Sequence, residues 1–163
     1  MEKIIFLDVD GVLNFWDCWI DSIPNVLRGD DKTQKLSLDC INQLNRIIDE
    51  TGAKIVISST WRKYKWLYDF LLSSPIKGEI IGETPDLLYD VSRKTSRGLE
   101  IKEWLNDEYG EPCHFIILDD DDDMDDLMDH LIQTNYDDGL TEEIANKVIS
   151  KLNSEIEKEK SNE

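Results

Sequence analysis

Five short apolar runs alternate with amphipathic segments along this chain. The runs cover residues 4–7, 53–57, 78–82, 114–118 and 131–134. Between them, apolar residues recur three and four positions apart, as in Ile41, Leu44 and Ile48, which is the spacing of a helix that buries one face. Strands that alternate with helices predict parallel βαβ crossovers. The pattern therefore predicts an α/β fold, a Rossmann-like three-layer sandwich with a parallel five-stranded sheet.

Capping residues mark where the predicted helices begin and end. Ser37 is the expected N-cap of a first helix and Gly52 its C-terminal cap, while Ser96 and Thr141 are expected to begin two later helices. A further helix is predicted over residues 61–72, with Trp66 on its inner side. Residues 124–129 are expected to form a short helical turn.

The segment 14–36 has no clean period and is predicted to be a long loop or small flap near the end of the first strand. At 163 residues the chain has the length of one domain. We expect a single domain over residues 1–154 and an acidic, mobile tail over residues 155–163. The interval between Asp10 and Ser58 is too short for a large cap domain.

Acidic residues outnumber basic ones by 36 to 18, which gives a formal net charge of −18. This charge argues against non-specific nucleic-acid binding, which depends on Lys and Arg. No apolar run has the length of a membrane span, and no signal peptide is evident, so no membrane partner and a cytoplasmic location are expected. The three cysteines are widely separated and indicate neither a disulfide framework nor a zinc site.

Polar side chains follow three of the predicted strands at the point where each strand ends. Because the carboxyl ends of parallel strands meet at one edge of a sheet, these side chains are expected to converge there. Core packing does not require such a convergence. The side chains are Asp8 and Asp10 after the first strand, Ser58 and Ser59 with Thr60 as a competitor after the second, and Asp119 and Asp120 after the fourth.

A cation would complete this set for phosphoryl transfer. Arg97 and Lys94 are the candidates, and the sequence leaves the choice between them open. Carboxylates bind a hard metal such as Mg²⁺, hydroxyls bind phosphate oxygens, and a fixed cation offsets developing negative charge. Arg62 follows the hydroxyls directly and is either a further phosphate-binding residue or a surface arginine on a helix.

With these motifs in order, the chain resembles the haloacid dehalogenase (HAD) superfamily of phosphatases. The resemblance rests on Asp8-Val9-Asp10-Gly11-Val12, on Ser58 after a hydrophobic strand, on a basic residue near Arg97, and on the pair Asp119-Asp120. Val12-Leu13-Asn14, Ser58-Ser59-Thr60-Trp61-Arg62, Arg97-Gly98-Leu99-Glu100-Ile101 and Asp138-Gly139-Leu140-Thr141 are similar to the capless group associated with RNA-repair proteins.

The resemblance implies a role for each site residue. Asp8 would be the nucleophile that forms an aspartyl-phosphate, and Asp10 the general acid and then the general base. Mg²⁺ would be held by Asp8, the backbone carbonyl of Asp10, and Asp119, with Asp120 as a direct or indirect partner. Ser58 would bind the phosphoryl group, and Arg97 would compensate its charge.

The predicted function is a Mg²⁺-dependent phosphomonoester hydrolase. Its substrate would be a phosphorylated small molecule or a macromolecular terminal phosphate, including a nucleotide or nucleic-acid end. A receiver-like signalling domain and a non-catalytic binding module on the same scaffold are the alternatives. Trp16 and Trp19 are expected to pack the flap down, although stacking on a planar substrate group is the other interpretation.

Overall fold

A computed structural model describes residues 1–87 and 95–161 of the chain, with side chains up to residue 154. Its strands in chain order are β1 (Glu2–Leu7), β2 (Val26–Arg28), β3 (Lys35–Ser37), β4 (Lys54–Ile57), β5 (Ile80–Glu83), β6 (Cys113–Asp119) and β7 (Leu131–Gln133). Five of them form one parallel sheet in the order β5-β4-β1-β6-β7. The five-stranded parallel sheet predicted from the apolar runs is confirmed.

Four α-helices connect or follow these strands in the described part of the chain. They are α1 (Leu38–Thr51), α2 (Lys65–Ser73), α3 (Arg97–Glu103) and α4 (Glu142–Ser161), with a π-helical turn at Trp104–Tyr109 after α3 and 3-10 turns at Trp16–Trp19, Thr60–Lys63 and Asp125–His130.

The predicted caps are present. Ser37 accepts the N–H of Cys40 at 3.2 Å, Ser96 accepts that of Leu99 at 3.2 Å, and Gly52 ends α1 in the left-handed conformation with φ 69°.

The central strand β1 divides the core into two layers. Ile5 and Leu7 pack with residues of α1, α2 and α4 on one face of the sheet. Ile4 and Phe6 pack on the other face, against Ile101 of α3 and its neighbours. The side chains of these four residues of β1 are fully buried. This alternation is what a strand covered on both faces requires, and it makes the fold a three-layer α/β sandwich.

The flap is more regular than the sequence suggested. β2 and β3 pair antiparallel, so that Leu27 faces Leu36 in the register. The guanidinium of Arg28 donates to the carbonyls of Cys18 and Ile20, at 3.0 Å each, and ties the 3-10 turn to this hairpin. Of the two interpretations of segment 14–36, a long loop or a small flap, the structure has the small flap, with short strands that the sequence did not indicate.

The flap is a small insertion and not a large cap domain. Within the described ranges, no helix is both long and apolar enough to cross a membrane.

Candidate active site

The carboxyl ends of β4, β1 and β6 lie side by side and bring the predicted site residues together. Leu7 pairs with Ile57 on one side and with Leu118 on the other. The next residues continue this ladder: Asp8 N–H donates to the Leu118 carbonyl, and Ser58 N–H donates to the Leu7 carbonyl, both at 2.9 Å. Register alone therefore places Ser58, Asp8 and the end of β6 at one edge of the sheet.

Three carboxylates form a cluster at this edge. One carboxylate oxygen from each of Asp8, Asp119 and Asp120 lies within 4.8 Å of the other two. Asp8 is 4% exposed and Asp119 only 1%, so their charges are poorly solvated. Oxygen ligands gathered around one point suit a hard divalent cation such as Mg²⁺.

Burial shifts the pKa values of two of these acids, Asp8 and Asp119. Burial raises the pKa of Asp8 well above its ordinary value, the charge of Asp119 raises it further, and Arg97 opposes both effects. Burial raises the pKa of Asp119 to about 6, again against the effect of Arg97. A divalent cation would stabilise the ionised forms of both carboxyls. The donor set therefore fits the metal that the sequence predicts.

Arg97 is the cation that the structure brings to this cluster. Its Nη1 lies 3.1 Å from Asp8 Oδ1 and 3.1 Å from Asp119 Oδ2, and it also donates to the Ser58 carbonyl. The close approach of α3 to the residues after β6 helps to place it, since a Cβ on Gly98 would lie 2.3 Å from the Met124 carbonyl oxygen. The other candidate, Lys94, lies outside the described residues.

The three hydroxyls after β4 have different surroundings. Ser58 Oγ is buried and has no hydrogen-bond partner among the described residues. Ser59 Oγ accepts the N–H of Trp61 at 3.2 Å and caps the 3-10 turn, while Thr60 is exposed. A buried hydroxyl without a partner is unfavourable unless a ligand completes it. Ser58 is therefore the buried hydroxyl of this group whose hydrogen-bonding capacity the described residues leave unfilled.

Asp10 is held by two side chains that donate to its carboxylate. Asn14 Nδ2 donates to one oxygen at 2.9 Å, and Trp61 Nε1 donates to the other at 3.1 Å. Asn14 is itself buried, accepts the Gly11 N–H at 3.0 Å and donates to the Lys35 carbonyl at 3.0 Å. Sequence reasoning assigned no role to Asn14 beyond the resemblance, and it did not identify Trp61 as a partner of Asp10.

Gly11 allows the first motif to approach the last. Its φ is +78°, and a Cβ there would lie 2.4 Å from Asp120 Oδ2. Thr134, just after β7, donates through Oγ1 to the Gly11 carbonyl at 2.6 Å. The left-handed conformation and the absence of a side chain are both needed for Asp120 to reach the cluster.

A family model described as the HAD domain in Swiss Army Knife RNA repair proteins matches residues 4–145 of the chain. The chain belongs to this family. The match covers every site residue described above and indicates a phosphatase-type hydrolase, and HAD domains generally use Mg²⁺. Neither the curated proteins nor the solved structures contain a match.

Arg62 of this HAD domain has a structural environment that its sequence position did not reveal. Its side chain is 5% exposed and pairs with Glu100 Oε2 at 2.9 Å. Nε donates to the Thr84 carbonyl at 2.8 Å, and Nη1 donates to the Ser59 carbonyl at 2.7 Å. The interpretation of Arg62 as a surface arginine was therefore wrong, and protein groups engage the donors that a phosphate would need.

The acids that follow Asp120 lie outside the carboxylate cluster of the HAD site. Asp121, Asp122, Asp123, Asp125 and Asp126 are exposed. Asp126 pairs with Lys102, and Asp123 accepts the backbone N–H of Arg97 at 3.2 Å. Asp119 and Asp120 are therefore the acids of this run that reach the carboxylate cluster.

Several aromatic residues predicted to be packed are exposed. Trp16 is 67% exposed, Trp19 38% and Trp66 44%, so the expectations that the first two pack the flap down and that the third is core were wrong. Tyr136, which sequence reasoning missed, lies near the site: burial raises its pKa, and the charges of Asp10 and Asp120 raise it further. No recognised motif pointed to Tyr136, because it stands alone in a polar loop.

Proposed function

We propose that this HAD domain is a Mg²⁺-dependent phosphomonoester hydrolase that works through an aspartyl-phosphate. The observation that carries the proposal is the buried Ser58 hydroxyl, which has no hydrogen-bond partner in the part of the chain that the structure describes. It lies at the strand end next to Asp8, whose carboxylate is paired with Arg97. A phosphate oxygen would satisfy the hydroxyl, and the guanidinium would offset its charge. A core built only for stability has no need for this combination.

Asp8, Asp119 and Asp120, together with the backbone carbonyl of Asp10, would hold Mg²⁺. The bound ion would favour the ionised form of Asp8 and offset negative charge on the phosphoryl group. This contribution matters here because burial raises the pKa of Asp8 in the metal-free protein.

In the first step, a carboxylate oxygen of Asp8 attacks phosphorus and forms an Asp8–O–P bond. The ester P–O bond breaks, and Asp10 gives its proton to the departing alkoxide. In the second step, Asp10 takes a proton from water as the water oxygen attacks phosphorus, which releases inorganic phosphate and restores Asp8. Ser58 and Arg97 bind the phosphoryl oxygens in both steps.

We propose a nucleotide or a nucleic-acid terminal phosphate as the substrate. The family description, which refers to RNA repair, supports this class. The open edge of the sheet is compatible with it, since the flap is a short hairpin. The net charge of −18 continues to argue against non-specific binding along a nucleic acid.

The receiver-like alternative is disfavoured by the residues at the strand ends. A receiver domain needs a phospho-accepting Asp after a middle strand and a Lys after the last strand. Here β4 is followed by Ser58, and β7 is followed by Thr134. The cation at the site comes from the start of α3 instead.

The test is hydrolysis of an aryl phosphate by the wild type and by Asp8→Asn, each with Mg²⁺ and with EDTA. We expect turnover only by the wild type with Mg²⁺. Asp8→Asn is nearly isosteric and removes a buried charge, so its fold can be verified by circular dichroism. Undiminished turnover by folded Asp8→Asn would refute the nucleophile assignment, and no turnover by the wild type on any phosphate ester would favour a non-catalytic module.

A further inference from the structure

A cavity lined by aromatic residues lies directly beside Asp10. Its volume is about 430 Å³, and we call it the aromatic pocket. Its lining includes Asp10, Trp19, Trp61, Tyr64, Trp66 and Tyr136. The pocket thus connects Asp10, the proposed general acid, with aromatic residues that lie outside the four HAD motifs.

Three separate elements form the walls of the aromatic pocket. Trp19 comes from the 3-10 turn in the flap, Tyr64 and Trp66 from the start of α2, and Tyr136 from the loop after β7. Hydrogen bonds connect the walls. Gln34 of the flap donates to the Trp66 carbonyl at 3.0 Å, and the N–H of Trp16 donates to the Tyr136 carbonyl at 3.0 Å. These hydrogen bonds therefore hold the aromatic side chains around an open space, where they remain partly exposed.

Exposure of these rings is costly in water. Trp19, Tyr64 and Trp66 are 38%, 52% and 44% exposed. Isolated exposed aromatic residues need no explanation, but a cluster around one cavity indicates a binding surface. A ligand with flat apolar faces would remove this area from water and stack on the rings.

The charge of the pocket restricts what it can hold. Asp10 is the only charged residue among the described residues that line it. The general acid must lie next to the oxygen of the leaving group, so the leaving group is the part of the substrate that enters this cavity. Because the described lining has no cationic residue, it does not suit a second phosphate there. The leaving group that fits is uncharged and planar.

We infer that the aromatic pocket binds the nucleoside of a substrate that carries a terminal phosphate, with the base stacked on Trp19 and its neighbours. This inference rests on the proposed function and specifies its leaving group. A phosphotyrosine would also offer a ring, but the family description favours the nucleoside. A free nucleotide and the terminal nucleotide of a strand share this chemistry.

A second cavity extends the same surface. It measures about 380 Å³ and is lined by Trp16, Trp19, Ile20 and Tyr136. Trp19 and Tyr136 line both cavities, so the neighbouring nucleotide of a strand would lie against Trp16. The effect of Trp16→Ala on kcat/KM separates the two sources of the ligand. If strand ends are bound, the substitution should lower kcat/KM more for a dinucleotide phosphate than for a mononucleotide. If free nucleotides are bound, it should change both values equally.

The kinetic test compares kcat/KM for adenosine monophosphate, as its 5′ and 3′ isomers, with kcat/KM for ribose 5-phosphate, which lacks a base. We expect the wild type to prefer a nucleotide and Trp19→Ala to lower this preference about tenfold, as expected for the loss of one stacking contact. Trp19→Phe keeps a flat face and should restore much of the preference. Leu72→Ala removes an exposed apolar side chain on α2 that lines neither cavity, and it should leave the preference unchanged.

Three results of this kinetic comparison would overturn the inference. These are no preference in the wild type, an equal preference in Trp19→Ala, and faster turnover of a phosphotyrosine peptide than of any nucleotide. Binding provides a readout that does not depend on turnover. In Asp8→Asn with Mg²⁺, adenosine monophosphate should quench tryptophan fluorescence, and adding Trp19→Ala should weaken its binding about tenfold.

These two readouts separate the failure of the inference from failure of the proposed function. Suppose that the nucleotide quenches fluorescence through Trp19 but the wild type hydrolyses no phosphate ester. That result would refute the proposed phosphatase activity and support the assignment of the aromatic pocket to a nucleoside. Turnover of phosphate esters without nucleotide preference would support the phosphatase and refute the pocket assignment.

Discussion

The indole N–H of Trp61 donates to the carboxylate of Asp10 at 3.1 Å, across 51 positions of the chain. Trp61 is 2% exposed, and its ring also packs near Phe70, with ring centroids 6.4 Å apart. The residue therefore connects the hydrophobic core to the proposed general acid. Besides packing in the core, Trp61 thus orients the carboxylate that would present a proton in the proposed reaction.

We predict that Trp61→Phe impairs protonation of the leaving group more than it impairs phosphate binding. Phe fills much of the same space but donates no hydrogen bond to Asp10. Loss of one hydrogen bond to a charged group costs about 1.5–3 kcal/mol, or roughly a 10- to 100-fold fall in kcat. The fall should be large for an alkyl phosphate and small for 4-nitrophenyl phosphate, whose leaving group needs little protonation.

Trp104→Phe is the matched control for this change. Trp104 is 5% exposed and packs against Phe6 in the opposite layer of the core. The substitution should lower stability without changing the ratio of the two rates. Equal losses on both substrates in Trp61→Phe would contradict the positioning role.

Alanine substitutions at Gly11 and Gly52 would separate the effect of backbone strain from the effect of a steric clash. Both have positive φ, 78° and 69°, but a Cβ on Gly11 meets Asp120 Oδ2 at 2.4 Å, whereas a Cβ on Gly52 meets nothing within 4 Å. Alanine at either position should cost about 1–2 kcal/mol of folding free energy. Gly11→Ala alone should also weaken Mg²⁺ binding, roughly 10- to 100-fold, because it displaces Asp120.

Isothermal titration with Mg²⁺ at equal folded concentration tests this difference. Wild-type affinity in Gly11→Ala would show that Asp120 does not contribute to metal binding. A loss of affinity in Gly52→Ala would mean that the effect arises from general destabilisation.

The sheet and the convergence of the motifs could be predicted because each depends on local pattern. Ile4 to Leu7 form an uninterrupted apolar run into Asp8, and parallel pairing then brings every strand end to one edge. The hairpin in the flap could not be predicted, since β2 and β3 have three residues each and only partly buried or isolated apolar positions. Such short strands have no period that distinguishes them from loop.

Contacts between distant polar side chains also escaped prediction. The partner of Arg62 is Glu100, 38 positions away, and nothing in the local sequence of either residue indicates the other. The same holds for Trp61 and Asp10. The sequence did limit the choice among hydroxyls to Ser58, Ser59 and Thr60, but only the buried hydrogen-bond network distinguishes Ser58 from its neighbours.

Arg62→Met should destabilise the protein by about 3–5 kcal/mol, because Glu100 would remain buried without its counter-charge. Urea unfolding measures this loss. The double variant Arg62→Met, Glu100→Leu should recover much of it, since no unpaired charge remains. Lys65→Met removes an exposed ion pair with Asp69, at 2.5 Å, and should cost less than about 1 kcal/mol.

A different outcome would restore the phosphate-binding interpretation of Arg62. That outcome is a stability within about 1 kcal/mol of the wild type, together with a raised KM for a small phosphate ester. The four carbonyl and carboxylate contacts of the guanidinium predict the opposite.

The metal-free protein should lose stability as the pH rises through about 6, and Asp119 should contribute to the loss together with Asp8, whose pKa burial also raises. Burial raises the pKa of Asp119 from an ordinary 3.8 to about 6. The folded state therefore binds a proton more tightly than the unfolded chain does, and this stabilisation is complete below about pH 4 and lost as the pH rises through 6. Its size is on the order of 2–3 kcal/mol. Urea unfolding in EDTA between pH 4 and pH 8 should show a smaller pH dependence for Asp119→Asn than for the wild type.

Saturating Mg²⁺ should reverse this trend in the wild type, because under the proposed function the ion would bind the ionised carboxylates of the folded state only. Stability would then increase from pH 5 to pH 8, the range over which Asp119 ionises. Asp119→Asn should lack most of the Mg²⁺-dependent gain. Parallel pH profiles for the two proteins in EDTA would show that Asp119 titrates with an ordinary pKa, and an undiminished Mg²⁺ gain in Asp119→Asn would exclude Asp119 as a ligand.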